Sequence, residues 1–115
     1  MRALLTSMVA DLTEPDTDVV VLEIADGVYQ QETARLVGDP VFAGLVDRVV
    51  FAAADSLGAV AGVRRLQDLG LDVVACSGVV TASPLAAREA RGALELPVID
   101  TFDLTDPVAA GRLLS

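Results

Sequence analysis

The chain lacks histidine, tryptophan and lysine, so all eight of its basic residues are arginine. These absences exclude histidine-based catalysis, Schiff-base chemistry, histidine metal ligands and the lysine with which P-loops hold phosphate. The single cysteine, Cys76, excludes an internal disulfide and fits a reducing cytoplasm, which is the location we expect. Because no histidine or lysine is present to activate the thiol, the sequence favours a structural role for Cys76.

Positive charge and long apolar runs are also scarce. The chain has 8 Lys+Arg against 17 Asp+Glu, a net charge of −9 and a pI of about 4.1. This balance argues against nucleic acid or an anionic membrane as the main partner. No apolar run approaches the roughly 20 residues that cross a bilayer. Residues 1–12 are apolar at helical spacing, which predicts an amphipathic helix rather than a signal peptide.

Small and branched apolar residues are abundant: 53% of the chain is hydrophobic and only 3% is aromatic. Predicted strands lie at 19–25, 48–54, 72–76 and 96–99, and predicted helices lie at 1–12, 28–37, 56–69, 83–94 and from Asp106 onward. Strands that are continuously apolar indicate a parallel sheet covered on both faces. We therefore predict one α/β domain over 1–115, with 1–17 as an N-terminal helix and turn and 18–115 as βα repeats. Its architecture would be Rossmann-like, with three α/β/α layers and about four mainly parallel strands.

Polar residues follow the predicted strands, and the carboxyl ends of parallel strands share one edge where such sheets bind ligands. The ligand-binding candidates at this edge are Glu23, Asp26, Gly27, Asp55, Ser77, Gly78, Thr81 and Ser83. Carboxylates suit Mg²⁺, so Asp26 and Glu23 are the candidate metal ligands. Glu23 is notable because a buried strand would leave its carboxylate in need of a partner.

A second explanation exists for some of these residues. Asp and Ser that follow strands often cap the next helix, and this explanation is favoured for Asp55, Ser83 and Asp106. The small-residue stripe at 58–62 is explained best by close packing of a helix on the sheet, with a helix–helix contact in a dimer as the alternative.

Three segments carry a resemblance to a known group of enzymes. VVVLEIADGVYQQET at 19–33 resembles the strand and acidic turn of P-loop families related to dethiobiotin synthetase and cobyrinic acid synthase. DRVVFAAADSLGAVAGVRRLQDLGLDVVACSGVV is similar to their next strand, helix and strand, and LELPVID to a later strand. The resemblance covers about 18–100. It implies that Glu23 and Asp26 correspond to the acidic turn on the metal side of a nucleotide site.

The chain departs from that family in two places. The glycine-rich loop with Gly-Lys-Ser/Thr is absent, so the chain resembles the C-terminal half of such a domain. Cys76-Ser77-Gly78 stands where relatives often place an asparagine for the base. The resemblance therefore does not imply ATP hydrolysis by this chain alone.

These observations predict a non-catalytic half-domain that acts in protein assembly or supplies the acidic wall of a nucleotide/Mg²⁺ site completed by another chain. A half-fold leaves a sheet edge uncovered, so we expect a homodimer or a complex with another polypeptide. The alternatives are a receiver-like domain, which would need a lysine, and a small metal-dependent carboxylate enzyme.

Overall fold

The computed structural model describes residues 2–115, and its internal contacts group the chain into two compact units, Met1–Asp47 and Arg48–Ser115. The first unit contains three helices: α1 Arg2–Leu12, α2 Gln31–Val37 and α3 Pro40–Leu45. The second contains β1 Val49–Ala52, α4 Ser56–Asp68, β2 Val73–Ser77, α5 Pro84–Ala93 and α6 Pro107–Arg112, with 3₁₀ turns at Val79–Ala82 and Asp103–Thr105.

Local capping residues set the helix boundaries of the first unit. The Gln30 side chain accepts a hydrogen bond from the Thr33 amide at 2.9 Å and begins α2. Asp39 accepts from the Val41 amide at 2.8 Å and begins α3, whose first residue is proline. Pro suits this position because the first helical amide has no partner within the helix. Both α1 and α2 contact α3, and the buried residues of this unit are Leu5, Thr33, Leu36, Val37 and Phe42.

The first predicted strand, at 19–25, is wrong. These residues are irregular, and they leave much of their apolar surface in solvent: Val21 is 84% exposed and Val19 is 48% exposed. Strand composition alone does not make a strand, because the backbone needs a neighbouring strand to pair with. No described strand pairs with this segment.

The second unit contains a parallel pair, β1 and β2, joined through α4. α4 contacts both strands through small and apolar residues; Ala59 and Val63 are fully buried there. The Phe51 ring occupies the place of the missing side chain of Gly62, since a Cβ at that glycine would overlap the ring. Close helix-on-sheet packing, the explanation favoured for the stripe at 58–62, is therefore confirmed.

The sheet has two strands rather than about four, and the three-layer prediction is wrong for the described residues. The predicted strand at 96–99 contributes only one bridge, Val98 to Cys76. The Cys76 amide donates to Pro97 O at 2.9 Å, and the Cys76 carbonyl accepts from Ile99 N at 2.8 Å. Pro97 has no N–H with which to extend this ladder toward the start of β2. The coarser α/β prediction holds.

Candidate functional site

The carboxyl ends of β1 and β2 lie at one edge, because the two strands are parallel. Five of the eight candidates follow these ends in the second unit: Asp55, Ser77, Gly78, Thr81 and Ser83. The other three, Glu23, Asp26 and Gly27, lie in the irregular part of the first unit. Ser77 is the last residue of β2, Gly78 follows it, and Thr81 and Ser83 lie in and after the next 3₁₀ turn.

Three of the polar residues cap helices. Asp55 Oδ1 accepts from the Gly58 amide at 2.6 Å at the start of α4, and Ser83 Oγ accepts from the Ala86 amide at 3.2 Å at the start of α5. Asp106 Oδ1 accepts from the Val108 amide at 3.1 Å at the start of α6. The capping explanation is confirmed for all three.

The hydroxyl groups at this edge bind backbone carbonyls. Ser77 Oγ donates to Ile99 O at 2.6 Å, and Thr81 Oγ1 donates to Gly78 O at 2.7 Å. These bonds join the end of β2 to the chain around Ile99 and to the following 3₁₀ turn. Within residues 2–115, no buried side-chain nitrogen or oxygen is left without a hydrogen-bond partner. The polar groups of the edge therefore stabilise the fold locally.

Gly78 brings the turn after β2 close to the end of β1. Its φ of 95° lies in the region that glycine adopts readily, and a Cβ there would come within 3.0 Å of Ala53 N and O. Ala53 donates to Ser77 O at 3.0 Å and accepts from Val80 N at 2.9 Å. The close approach thus lets one backbone unit bridge β2 and the turn.

The acidic turn of the first unit is exposed. Glu23 and Asp26 both lie at the surface, so Glu23 carries none of the desolvation cost that a buried strand would impose. Gly27 O accepts from Gln30 N at 3.0 Å, and this turn leads into α2. In the part of the chain that the structure describes, no group of three His, Cys, Asp or Glu side chains is placed to hold a metal ion.

Cys76 lies in the middle of the second unit's core. Its side chain is fully buried, and burial raises the pKa of the thiol. A raised pKa keeps the sulfur protonated and unreactive at neutral pH. The structure supports the structural role that the sequence favours for this residue.

A set of exposed apolar side chains at the carboxyl edge was missed in the sequence. They follow a strand or begin a helix there, and they form what we call the apolar rim: Leu57 (79% exposed), Val79 (70%), Leu85 (64%) and Phe102 (83%). The sequence pattern that could have revealed the apolar rim is an apolar residue directly after a helix cap or a turn. Exposed apolar groups that share an edge are typical of protein contact surfaces.

The free edge of β1 is the second feature of this unit. Val49 donates to Asp72 O at 2.8 Å and Ala53 donates to Ser77 O at 3.0 Å, both toward β2. Backbone groups alternate sides along a strand, so the N–H and C=O of Val50 and Ala52 point to the opposite edge. No other strand of the described residues pairs there, and the two side chains are exposed. The edge offers two donors and two acceptors.

An open cavity of about 560 Å³ lies near the amino ends of the strands, away from the predicted edge. Its charged lining consists of Arg48, Asp72, Asp103, Asp106 and Arg112. Arg48 also donates to Ser115 O at 3.4 Å, and Asp106 is the cap of α6. The lining contains both Arg and Asp side chains, so no single sign of charge dominates the cavity.

No protein-family model, curated protein or solved structure matches this chain. The likeness to P-loop enzymes therefore stays a prediction. Over residues 2–115, no helix has the length and apolar character needed to span a membrane.

Proposed function

We propose that this chain acts in protein assembly and that the free edge of β1 accepts an extended strand from another polypeptide. The observation that carries this proposal is the pair of outward-facing backbone units at Val50 and Ala52. An unpaired edge is a template for strand addition, in which main-chain hydrogen bonds supply affinity. A partner strand would satisfy these groups without breaking any bond between β1 and β2.

The carboxyl edge supports assembly over small-molecule chemistry. Its hydroxyls and capping carboxylates are occupied by backbone partners, as with Ser77 and Asp55. Its outer surface carries the apolar rim, which suits contact with a protein better than contact with a charged ligand.

The test is a proline substitution that removes one outward-facing donor. Val50→Pro deletes the N–H at the free edge and leaves the bonds of Val49 and Ala53 to β2 in place; Pro is tolerated at such edges. We expect light scattering to show an assembly for the parent chain and a monomer for Val50→Pro. Circular dichroism of both proteins verifies that the variant is folded.

Val50→Thr is the matched control. It keeps the β-branched shape and the N–H, so it should assemble as the parent does. A parent chain that stays monomeric at millimolar concentration, or a Val50→Pro protein that assembles like the parent, contradicts the proposal.

A further inference from the structure

The segment 18–24, Asp-Val-Val-Val-Leu-Glu-Ile, has strand composition but no strand in the structure. Three of its apolar side chains are exposed, Val21 at 84%, Val19 at 48% and Ile24 at 40%, whereas Val20 and Leu22 are half-buried. β-branched residues of this kind favour an extended backbone with neighbours on both sides. We call this segment the donor, because it could add a strand to another sheet, and no described strand pairs with it.

Each copy of the chain also contains the free edge of β1, which could accept such a strand. We infer that residues 18–24 of a second copy pair with the β1 edge, so that two copies exchange strands. This inference rests on the proposed assembly function and names its partner. In a reciprocal exchange, residues 18–24 of each copy pair with the β1 edge of the other copy, and the complex closes as a two-fold dimer.

The alternation of side chains in the two segments is compatible. An extended segment at 18–24 places Val20, Leu22 and Ile24 on one face and Val19, Val21 and Glu23 on the other. The first face continues the half-buried face of Phe51, which packs on α4. The second continues the exposed face of Val50 and Ala52, where the Glu23 carboxylate stays in water.

The charges at the ends are also complementary. Arg48 directly precedes β1, and the donor begins with Asp18 and carries Glu23 near its other end. Arg48 shares a face with Val50 and Ala52, so Glu23 reaches it when the segment runs antiparallel to β1, whereas Asp18 lies on the opposite face. This contact is favourable by charge at an exposed site, where it selects the partner more than it adds affinity.

Mixed cysteine variants distinguish a second copy from every other occupant. One protein carries Val21→Cys and the other carries Val50→Cys, and the native Cys76 is buried. We expect oxidation of the mixture to give a disulfide-linked species of twice the 11.9 kDa chain mass. The yield of this disulfide-linked species should be higher in the mixture than in either variant oxidised alone. A double variant that instead closes a disulfide within single chains, with no cross-link in the mixture, overturns the inference.

Ile24→Asp provides a test without cysteine. Ile24 lies on the face of residues 18–24 that would continue the Phe51 face in the dimer, and it is 40% exposed in the single chain. A charge on that face should therefore weaken dimerisation at least about tenfold by light scattering. Val108→Asp, at an exposed site of α6 outside the apolar rim, is the matched control and should not weaken it by that amount. If Val50→Pro abolishes assembly but Ile24→Asp does not, the free edge is used by another strand: the inference fails and the proposed function stands.

Discussion

At the scale of single residues, Gly78 is the glycine of the second unit whose Cβ position lies closest to backbone atoms. Its positive φ and its 3.0 Å clearance from Ala53 make it a position that tolerates no side chain without strain. Nothing in the residue type alone indicates this, since the chain contains nine glycines. The signal is contextual: Gly78 follows a buried strand and precedes a turn.

We predict that Gly78→Ala lowers the free energy of unfolding by about 1–3 kcal/mol, because the new Cβ is strained in φ and meets Ala53. Urea denaturation measures this change. Gly92→Ala in α5 is the control, since a Cβ there meets nothing within 4 Å. It should be neutral or stabilise by about 0.5–1 kcal/mol. Equal effects of the two substitutions would contradict the explanation.

The ion pair of Arg2 and Asp39 makes the stability of the first unit depend on pH. Arg2 Nη2 lies 2.8 Å from Asp39 Oδ1, and Nε donates to Oδ2 at 3.1 Å. The side-chain hydrogen bonds from Arg2, followed by the bond from the Val41 amide, hold the pKa of Asp39 below its usual value. This stabilisation is present above the pKa of Asp39 in the unfolded chain and is lost as pH falls through the lowered pKa of the folded chain.

We expect Arg2→Gln to reduce the stability of the first unit modestly at pH 7, because the pair is solvent-exposed. The difference between parent and variant should shrink as the pH falls from about 5 to 2. Thermal unfolding followed at several pH values measures it. Arg88→Gln, at an exposed site of α5, is the control and should show no such convergence with the parent.

At the scale of elements, the starts of α4, α5 and α6 could be predicted from the sequence, whereas the number of paired strands could not. Asp55, Ser83-Pro84 and Asp106-Pro107 act on the three or four residues that follow them, so a local pattern contains the whole interaction. A strand depends on a distant partner. Residues 18–25 have the right composition without a described partner, and Pro97 limits the last strand to one bridge.

The contact of β1 with α4 yields a prediction at this scale. Gly62→Ala forces the Phe51 ring to move, and we expect a loss of about 1–3 kcal/mol in the free energy of unfolding. In a Phe51→Leu background the same change should cost less, because the smaller side chain leaves room. Chemical denaturation of the four proteins gives the coupling energy. A cost that is the same in both backgrounds would contradict direct contact.

At the scale of the whole chain, the sequence places five candidate residues beside two strand ends but leaves their role open. Local hydrogen bonds explain Asp55, Ser77, Thr81 and Ser83. Sequence reasoning could not separate a capping carboxylate from a metal ligand, since both need the same residue type at the same place. The apolar rim could not be predicted, because the exposure of an apolar residue depends on which face of its helix or turn packs against the core.

A nucleotide titration tests the acidic-wall hypothesis. We expect no appreciable heat when Mg²⁺-ATP is titrated into the isolated chain by calorimetry, since the sequence contains no lysine or Gly-Lys-Ser/Thr loop. Mg²⁺ without nucleotide is the accompanying control. Heat that is lost in Asp26→Asn but retained in Asp16→Asn would instead establish a ligand site at the acidic turn.

The burial of Cys76 gives the protein an internal reporter. The chain has one thiol, and it lies in the core of the second unit only. A thiol reagent can modify it only when that unit opens, so the rate of labelling measures the opening equilibrium there. Destabilising substitutions at Gly78 and Gly62 should therefore raise the labelling rate of Cys76, and substitutions of Arg2 or Asp39 should leave that rate unchanged. If the second unit opens independently of the first, one sulfur atom then separates their stabilities without any added probe.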